Sequence, residues 1–306
     1  MSILPKSRNA EFGVSGACPN EFILHANREI PYYSCPAFER LAWLRHGFST
    51  RHVGAGEGYL NPNHAAHDIS DWGNENRRRL LSALDIENPT LILLNQIHSD
   101  RVYAVESDAG SYSSPRLLPL FPSSELNGER QTETKNYEGD ALITNVEDAA
   151  LAIKTADCFP ILLADPVHKA VGAVHSGWRG TLSGVLPRTI KEMNNRFQTD
   201  PAQLLVAIGP AIRECCFEVG EDVARLFMEA YPEESTARRH PSTHGKYLVN
   251  LSAVLKTQMK QSGVLPENQH DSGMCTCCNT HEFFSWRAEG KAAGRMIAAI
   301  AIVPAV

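Results

Sequence analysis

The chain lacks any apolar run long enough to cross a bilayer, has no basic field and uses little cysteine, and each lack removes a class of function. The opening stretch MSILPKSRNAEFGVSG has no apolar core of signal-peptide length, and the apolar segment from Met296 to Val306 is too short to span a membrane. A cytoplasmic location with no membrane partner is therefore expected. A formal net charge of -6 with 21% charged residues gives an ordinary acidic surface, not the positive field that nucleic acid requires. A small molecule is the expected partner. Eight cysteines among 306 residues are too sparse for a disulfide scaffold, so they are read as thiols in a reducing compartment. None of the 12 histidines lies two residues from another, which removes the His-x-His pairs from which multicopper clusters are built. Internal repeats and a dividing linker are absent too, and a chain of this length fits one large α/β domain or two intimately packed halves.

What is present centres on Ala150 to Gly180, ALAIKTADCFPILLADPVHKAVGAVHSGWRG. Leu151 to Lys154 and Ile161 to Ala164 are apolar runs of strand length, and Asp165-Pro166 opens a turn before Ala170 to His175 runs back. Cys158 and His175 then sit at strand ends. Gly177 follows, and Leu182, Val185, Leu186, Ile190 and Met193 recur at helical spacing, so the order is strand, tight turn, helix. Such turns commonly carry sites. One Cys and one His make at most half of a zinc site, and His98 in LILLNQIHSD, where another apolar strand meets polar residues, is nominated as the third ligand. A His, Cys, His set leaves a fourth tetrahedral position for water, as in catalytic zinc. A blue-copper site would add a weak Met ligand, and no Met lies near any of the three in sequence.

Elsewhere the reading is coarser. Residues 1–38 show no clear periodicity and are taken as an extension laid on the surface or partly disordered, with a single domain over 39–306. Ala42 to Ser49 reads as a strand, and Asp71 as the cap of a helix with Leu80, Leu81 and Leu84 inward and Arg77 to Arg79 on a solvated flank. Ser107 to Tyr137, rich in Ser, Pro, Gly and Glu, reads as a long inserted loop able to cover the site. Gly139 to Thr144 and Leu204 to Ile208 read as strands, Glu221 to Tyr231 as a helix, and the stretch from Gly290 as a final helix or strand. Cys215, Cys216, Cys275, Cys277 and Cys278 are expected as buried or pocket-lining thiols rather than a second metal cluster, on the reading that they hold no C-x-x-C pair.

Together HGFSTR (His46 to Arg51), ENRRRL, NQIHSD, GDALIT, KTADCFPILLADP, AVHSGWRG, AIGPAIRECCFEVG and FFSWRAEGKAAGR resemble the YfiH-type laccase-domain family, also called polyphenol oxidase-like or purine nucleoside phosphorylase-like. The resemblance covers about residues 42–303. It implies an α/β (α+β) fold of four layers, α/β/β/α, with two mixed sheets packed face to face, resembling the catalytic domain of cytotoxic necrotising factor. It also implies a metal held by His98, Cys158 and His175, zinc first and copper as the alternative. The sequence departs from the family pattern in four places. Pro62 to Asp71 reads PNHAAHDISD, so His64 or His67 fills a family His position out of register; the 107–137 loop is long; Ala211 replaces a Cys; and Pro187 interrupts and kinks a normally continuous helix.

The activity that the resemblance implies is phosphorolysis of adenosine, inosine and S-methyl-5'-thioadenosine, with hydrolytic deamination of adenosine. Zinc suits deamination because it lowers the pKa of bound water to roughly 7. Phosphorolysis needs a phosphate site, for which Arg51 and Arg179 are the candidates, and Asp157 is the candidate general acid or base. A monomer or weak homodimer is expected. Rival readings are a peptidoglycan-precursor editing hydrolase, a metal-free hydrolase using Cys158 and His175, and a nucleotide-sensing or partner-binding module without turnover. True laccase chemistry is disfavoured by the missing His-x-His pairs.

Overall fold

Runs such as ALAIKT and ILLA have no polar face, so the strands they form must be covered on both sides. The structure, a computed structural model, describes residues 22–52, 74–86, 90–107, 116–120, 137–147, 149–232 and 236–304. In chain order it begins with β1 (Ile23–His25), β2 (Tyr32–Ser34), α1 (Pro36–Glu39), β3 (Leu44–Ser49), α2 (Asn74–Ala83) and β4 (Thr90–Ile92). Next come β5 (Val102–Glu106), β6 (Arg116–Pro119), β7 (Ala141–Thr144), β8 (Ala149–Thr155), β9 (Phe159–Asp165) and β10 (Ala170–Ser176). After these follow α3 (Trp178–Ser183), α4 (Val185–Phe197), β11 (Leu205–Ile208), β12 (Glu218–Gly220) and α5 (Glu221–Ala230). The last are β13 (Ala237–Arg239), β14 (Lys246–Val249), α6 (Leu251–Gln261), β15 (Gln269–Asp271), α7 (Trp286–Glu289) and β16 (Met296–Ile302). Among the described residues no helix is long and apolar enough to cross a membrane.

The fold is mixed α/β with two large mixed sheets and a small antiparallel one. One sheet has the order β1-β2-β3-β16-β8-β4, and the other β15-β11-β9-β10-β7-β5-β6. In the first only β4 runs parallel to its neighbour β8, and in the second β15 and β11, and β5 and β7, form parallel pairs. Side-chain alternation shows how these sheets are covered. Leu151 and Ile153 of β8 and Ala298 and Ile300 of β16 share a cluster with Leu162 and Ala164 of β9 and Val171 and Ala173 of β10, so one core joins both sheets. The opposite residues of β9 and β10, Ile161, Leu163, Ala170 and Val174, meet Leu186, Ile190 and Met193 of α4 and Val254 and Leu255 of α6. Ala150, Ala152, Ile297 and Ala299 turn instead toward Leu80, Ala83 and Leu84 at the end of α2. Each fully buried Leu or Ile of this kind contributes about 1.5–3 kcal/mol.

Several expectations change. Residues 22–38 do not lie on the surface as an extension: β1 and β2 add an antiparallel edge to β3, and Ile30, Cys35 and Phe38 are fully buried. Strands of three residues are too short to show alternation in sequence. The helix around Pro187 is broken earlier than the proline itself. Gly184, at φ 80°, ends α3 and starts α4, so Pro187 falls in the first turn, where its missing N–H has no helical partner to lose. Within 107–137, β6 pairs with β5 as the outer strand of the larger sheet; Asp71, His64, His67 and most of that loop lie outside the described residues. Consecutive strands β8 and β9 belong to different sheets, and the chain crosses between them at Ala156 to Cys158.

Candidate metal site

The crossing from β8 to β9 and the end of β10 place two of the three nominated ligands side by side. Cys158 precedes β9, and His175 is the penultimate residue of β10, its hairpin partner. His98 arrives from the segment between β4 and β5, where it takes the left-handed region at φ 63°. One ligand atom from each of His98, Cys158 and His175 falls within 4.8 Å of the others. His98 Nε2 stands 3.8 Å from Cys158 Sγ, and the two imidazoles meet edge to face with centroids 5.0 Å apart. Gly177 makes this approach possible: a Cβ there would stand 2.6 Å from His98 Cδ2 and 3.1 Å from Cys158 Sγ.

A buried carboxylate organises the group. Asp140 Oδ1 lies 2.8 Å from His175 Nδ1 and accepts the His98 backbone N–H at 3.0 Å, while Oδ2 accepts from Ser99 N at 2.6 Å and Ser99 Oγ at 2.7 Å. It thus fixes one ligand by its ring and another by its backbone. The loop before His98 is pinned as well, because the Gln96 side chain donates to Lys154 O and accepts from Lys154 N, both at 2.8 Å, in the manner of an added strand residue.

Electrostatics inside the group favour a thiolate. Burial opposes ionisation of Cys158, but the His175 and His98 rings outweigh it and bring the thiol down to about 6. Burial likewise opposes protonation of His175, and Cys158 together with Asp140 reverses that and raises it. Two imidazole nitrogens and a soft sulfur, one His oriented by a carboxylate and one exposed His on the open side, are a donor set that fits a borderline-soft cation such as zinc.

The other nominated residues have separate settings. Asp157 is buried at φ 88°; its Oδ1 accepts from Thr276 Oγ1 and its Oδ2 from the Arg287 N–H, both at 2.6 Å. Arg179 is exposed in the first turn of α3, with its guanidinium 4.2 Å from the Trp178 ring centroid. Arg51 is drawn into the fold: it pairs with Glu289 at 2.9 Å, donates to Thr280 O and lies 4.4 Å from the Phe284 ring centroid. Its fork therefore holds the segment from Thr280 to Glu289.

Three residues near the ligands escape the sequence reading. Asp140 stands in GDALIT, read only as a strand, and a polar residue before a strand gives by itself no sign of burial or partners. Thr276 sits inside the cysteine-rich turn and reaches Asp157. Arg295 is half-buried; burial lowers its pKa, while Cys158 and Asp157 act in the opposite sense. The cysteine expectation also needs correction, because CTCC does contain a C-x-x-C spacing, Cys275 to Cys278, and the structure brings that pair to Cys215 and Cys216.

Known proteins are similar to this chain in sequence, and a solved structure is similar in fold. A purine nucleoside phosphorylase from Deinococcus radiodurans is 33% identical over 262 residues, covering 84% of this chain and 88% of that protein. The adenosine deaminase RL5, from an unknown prokaryotic organism, is 28% identical over 242 residues, covering 76% of this chain and 86% of its own. The crystal structure of YlmD from Geobacillus stearothermophilus superposes with a TM-score of 0.73 at 28% identity, covering 94% of this chain and 100% of that one. Residues 45–303 match the family model described as multi-copper polyphenol oxidoreductase laccase, and the chain belongs to that family.

Proposed function

We propose that the chain is a zinc-dependent purine nucleoside phosphorylase that acts on adenosine, inosine and S-methyl-5'-thioadenosine and also deaminates adenosine. The observation that carries this reading is the meeting of His98, Cys158 and His175 within 4.8 Å, with Asp140 behind His175. The activities named for the relatives from Deinococcus radiodurans and for RL5 support it. When bound, zinc would supply Lewis-acid polarisation and lower the pKa of a coordinated water to about 7. His98, Cys158 and His175 would hold the ion, and Asp140 orients two of them. Arg179, exposed two residues beyond Gly177, receives phosphate. Arg51 supports the segment that carries Glu289 rather than phosphate, and Asp157 acts as a positioning residue through Thr276 and Arg287. Four layers in the manner of the cytotoxic necrotising factor catalytic domain belong to the same proposal, supported by the core that both sheets share.

A second reading rests on one observation, the depressed Cys158 pKa beside His175 and Asp140, which is also the arrangement of a thiol nucleophile with its base. Incubation with adenosine, with and without phosphate, separates these readings. Adenine formed only with phosphate, and lost in His98→Ala, is the expected result, and inosine in either buffer reports deamination. Turnover that survives complete metal removal and disappears in Cys158→Ser would favour the thiol reading. Unchanged adenosine from zinc-loaded protein would overturn the nucleoside assignment and turn attention to peptidoglycan precursors.

A further inference from the structure

Outside the His98 group, a second cluster of sulfur atoms has no part in the proposed reaction. Cys215 and Cys216 belong to the loop between β11 and β12, and Cys275 and Cys278 to the turn after β15. Their four Sγ atoms lie within 4.8 Å of one another. Cys215 and Cys278 stand 3.6 Å apart, and Cys216 and Cys278 3.4 Å apart. Disulfide sulfurs lie at about 2.05 Å, and all four residues are free thiols. Four thiolates at about 2.3 Å from one zinc, on tetrahedral corners, stand roughly 3.8 Å from each other. The observed separations are close to that edge.

The backbone beside Cys275 closes a tight turn and suits a sulfur that carries charge. In the C-x-x-C turn, Asn279 N–H reaches Cys275 O at 3.1 Å and Thr276 O at 3.3 Å. Burial opposes ionisation of Cys275, but N–H groups of Arg213 and Cys278 donate to it and lower its pKa. Burial and neighbouring sulfurs push Cys215 up to about 12 and raise Cys216 too. Crowded thiols of this kind repel a second thiolate but are deprotonated outright by a coordinated cation. Cys215 and Cys278 are exposed, so an ion reaches the cluster from solvent.

We propose that Cys215, Cys216, Cys275 and Cys278 bind one zinc ion in an all-thiolate structural site separate from the His98 group. Binding forms four Zn–S bonds and releases the thiol protons to solvent. The ion ties the loop from Ala211 to Cys216 to the turn from Met274 to Asn279. That tie reaches the first site through Asp157, which accepts from Thr276 Oγ1 at 2.6 Å and whose carbonyl accepts the Ile212 N–H at 2.8 Å. Arg287 links the same parts, with Nη1 donating to Cys216 O at 2.9 Å and its N–H to Asp157 Oδ2. Asp157 in turn precedes Cys158, so the cluster acts as a clasp for the crossing between the sheets.

Metal binding to the full chain under reductant tests this. Cobalt(II) is titrated into metal-stripped wild type, Cys158→Ser, and the Cys215→Ser/Cys278→Ser double variant, and zinc content is measured on protein purified from zinc-supplemented cells. Cys158→Ser leaves the four-cysteine cluster intact, so thiolate-to-cobalt charge-transfer absorption is expected to persist in it with the intensity of a multi-thiolate site. The double variant is expected to hold one zinc fewer than wild type and to unfold at a lower temperature. A Cys158→Ser protein that shows no such absorption would overturn the proposal. So would a Cys215–Cys278 disulfide in thiol-blocked fresh lysate, which would make the cluster a redox pair.

Discussion

Asp140 and His175 are joined by a buried contact of 2.8 Å between Oδ1 and Nδ1, which leaves Nε2 as the ring nitrogen for the proposed metal. Because the same carboxylate accepts the His98 backbone N–H, one side chain sets the direction of two ligands. Asp140→Asn replaces an acceptor with a donor in this set. Metal affinity is expected to fall about 10- to 100-fold, read by competition with a chromogenic chelator; unchanged affinity would show that Asp140 serves the fold alone.

Gly177→Ala tests how tightly the ligands are packed. The new Cβ meets His98 Cδ2 at 2.6 Å and Cys158 Sγ at 3.1 Å, so one of them must move. Overpacking of this kind destabilises by about 1–3 kcal/mol. Turnover and metal content are expected to drop together, with only a modest fall in the thermal midpoint. Full metal occupancy with wild-type turnover would contradict the geometry.

The two arginines are expected to separate cleanly. Arg51→Ala removes the partner of a largely buried Glu289 and is expected to cost about 2 kcal/mol of stability, with the KM for phosphate unchanged. Arg179→Ala, at an exposed position, is expected to raise the KM for phosphate about tenfold, or ~1.4 kcal/mol, with the thermal midpoint unmoved. The reverse pattern would return phosphate binding to Arg51.

For Asp157, the pH profile distinguishes positioning from proton transfer. Asp157→Asn keeps an acceptor for Thr276 and is expected to lower kcat about tenfold, or ~1.4 kcal/mol, while both limbs of the profile keep their shape. Loss of one limb would make it the acid or base.

His46 gives the fold a pH dependence. Burial beside His25 lowers its pKa from 6.5 to about 3, and its Nε2 accepts the Cys35 N–H at 2.8 Å. The unfolded chain therefore binds a proton that the native state refuses between those two values. Its stabilising contribution is complete above pH 6.5 and is lost progressively as pH falls toward 3. Thermal midpoints are expected to decline across that window in wild type and more gently in His46→Gln. Parallel declines would assign the effect elsewhere.

The three residues of the candidate site are readable without coordinates, because Cys158, His175 and His98 each stand where an apolar run meets polar residues, and the structure brings them together. Helix α5 is readable for a related reason: its apolar residues recur at helical spacing behind Glu221 and Asp222. Sheet membership is not. β8 and β9 are apolar on both faces, so ALAIKT and ILLA look the same whichever sheet holds them, and only the register shows that the chain crosses over. Asp140 looks like any polar residue before a strand until three donors and an imidazole converge on it. In CTCC the middle Cys277 hides the C-x-x-C spacing, and its partner pair Cys215-Cys216 lies in a different loop. For Pro187 the sequence shows a helix breaker, but the break belongs to Gly184, whose left-handed backbone sets the proline in a harmless turn.

The place of β16 has a bearing on how the protein is made. Met296–Ile302 lies between β3 and β8, pairing antiparallel with both. Until these residues leave the ribosome, β3 and β8 face each other across an open seam, two apolar edges able to pair with other chains. This sheet therefore closes only after Met296–Ile302 has been synthesised, and a stop codon just upstream of Met296 would remove a strand from within the sheet.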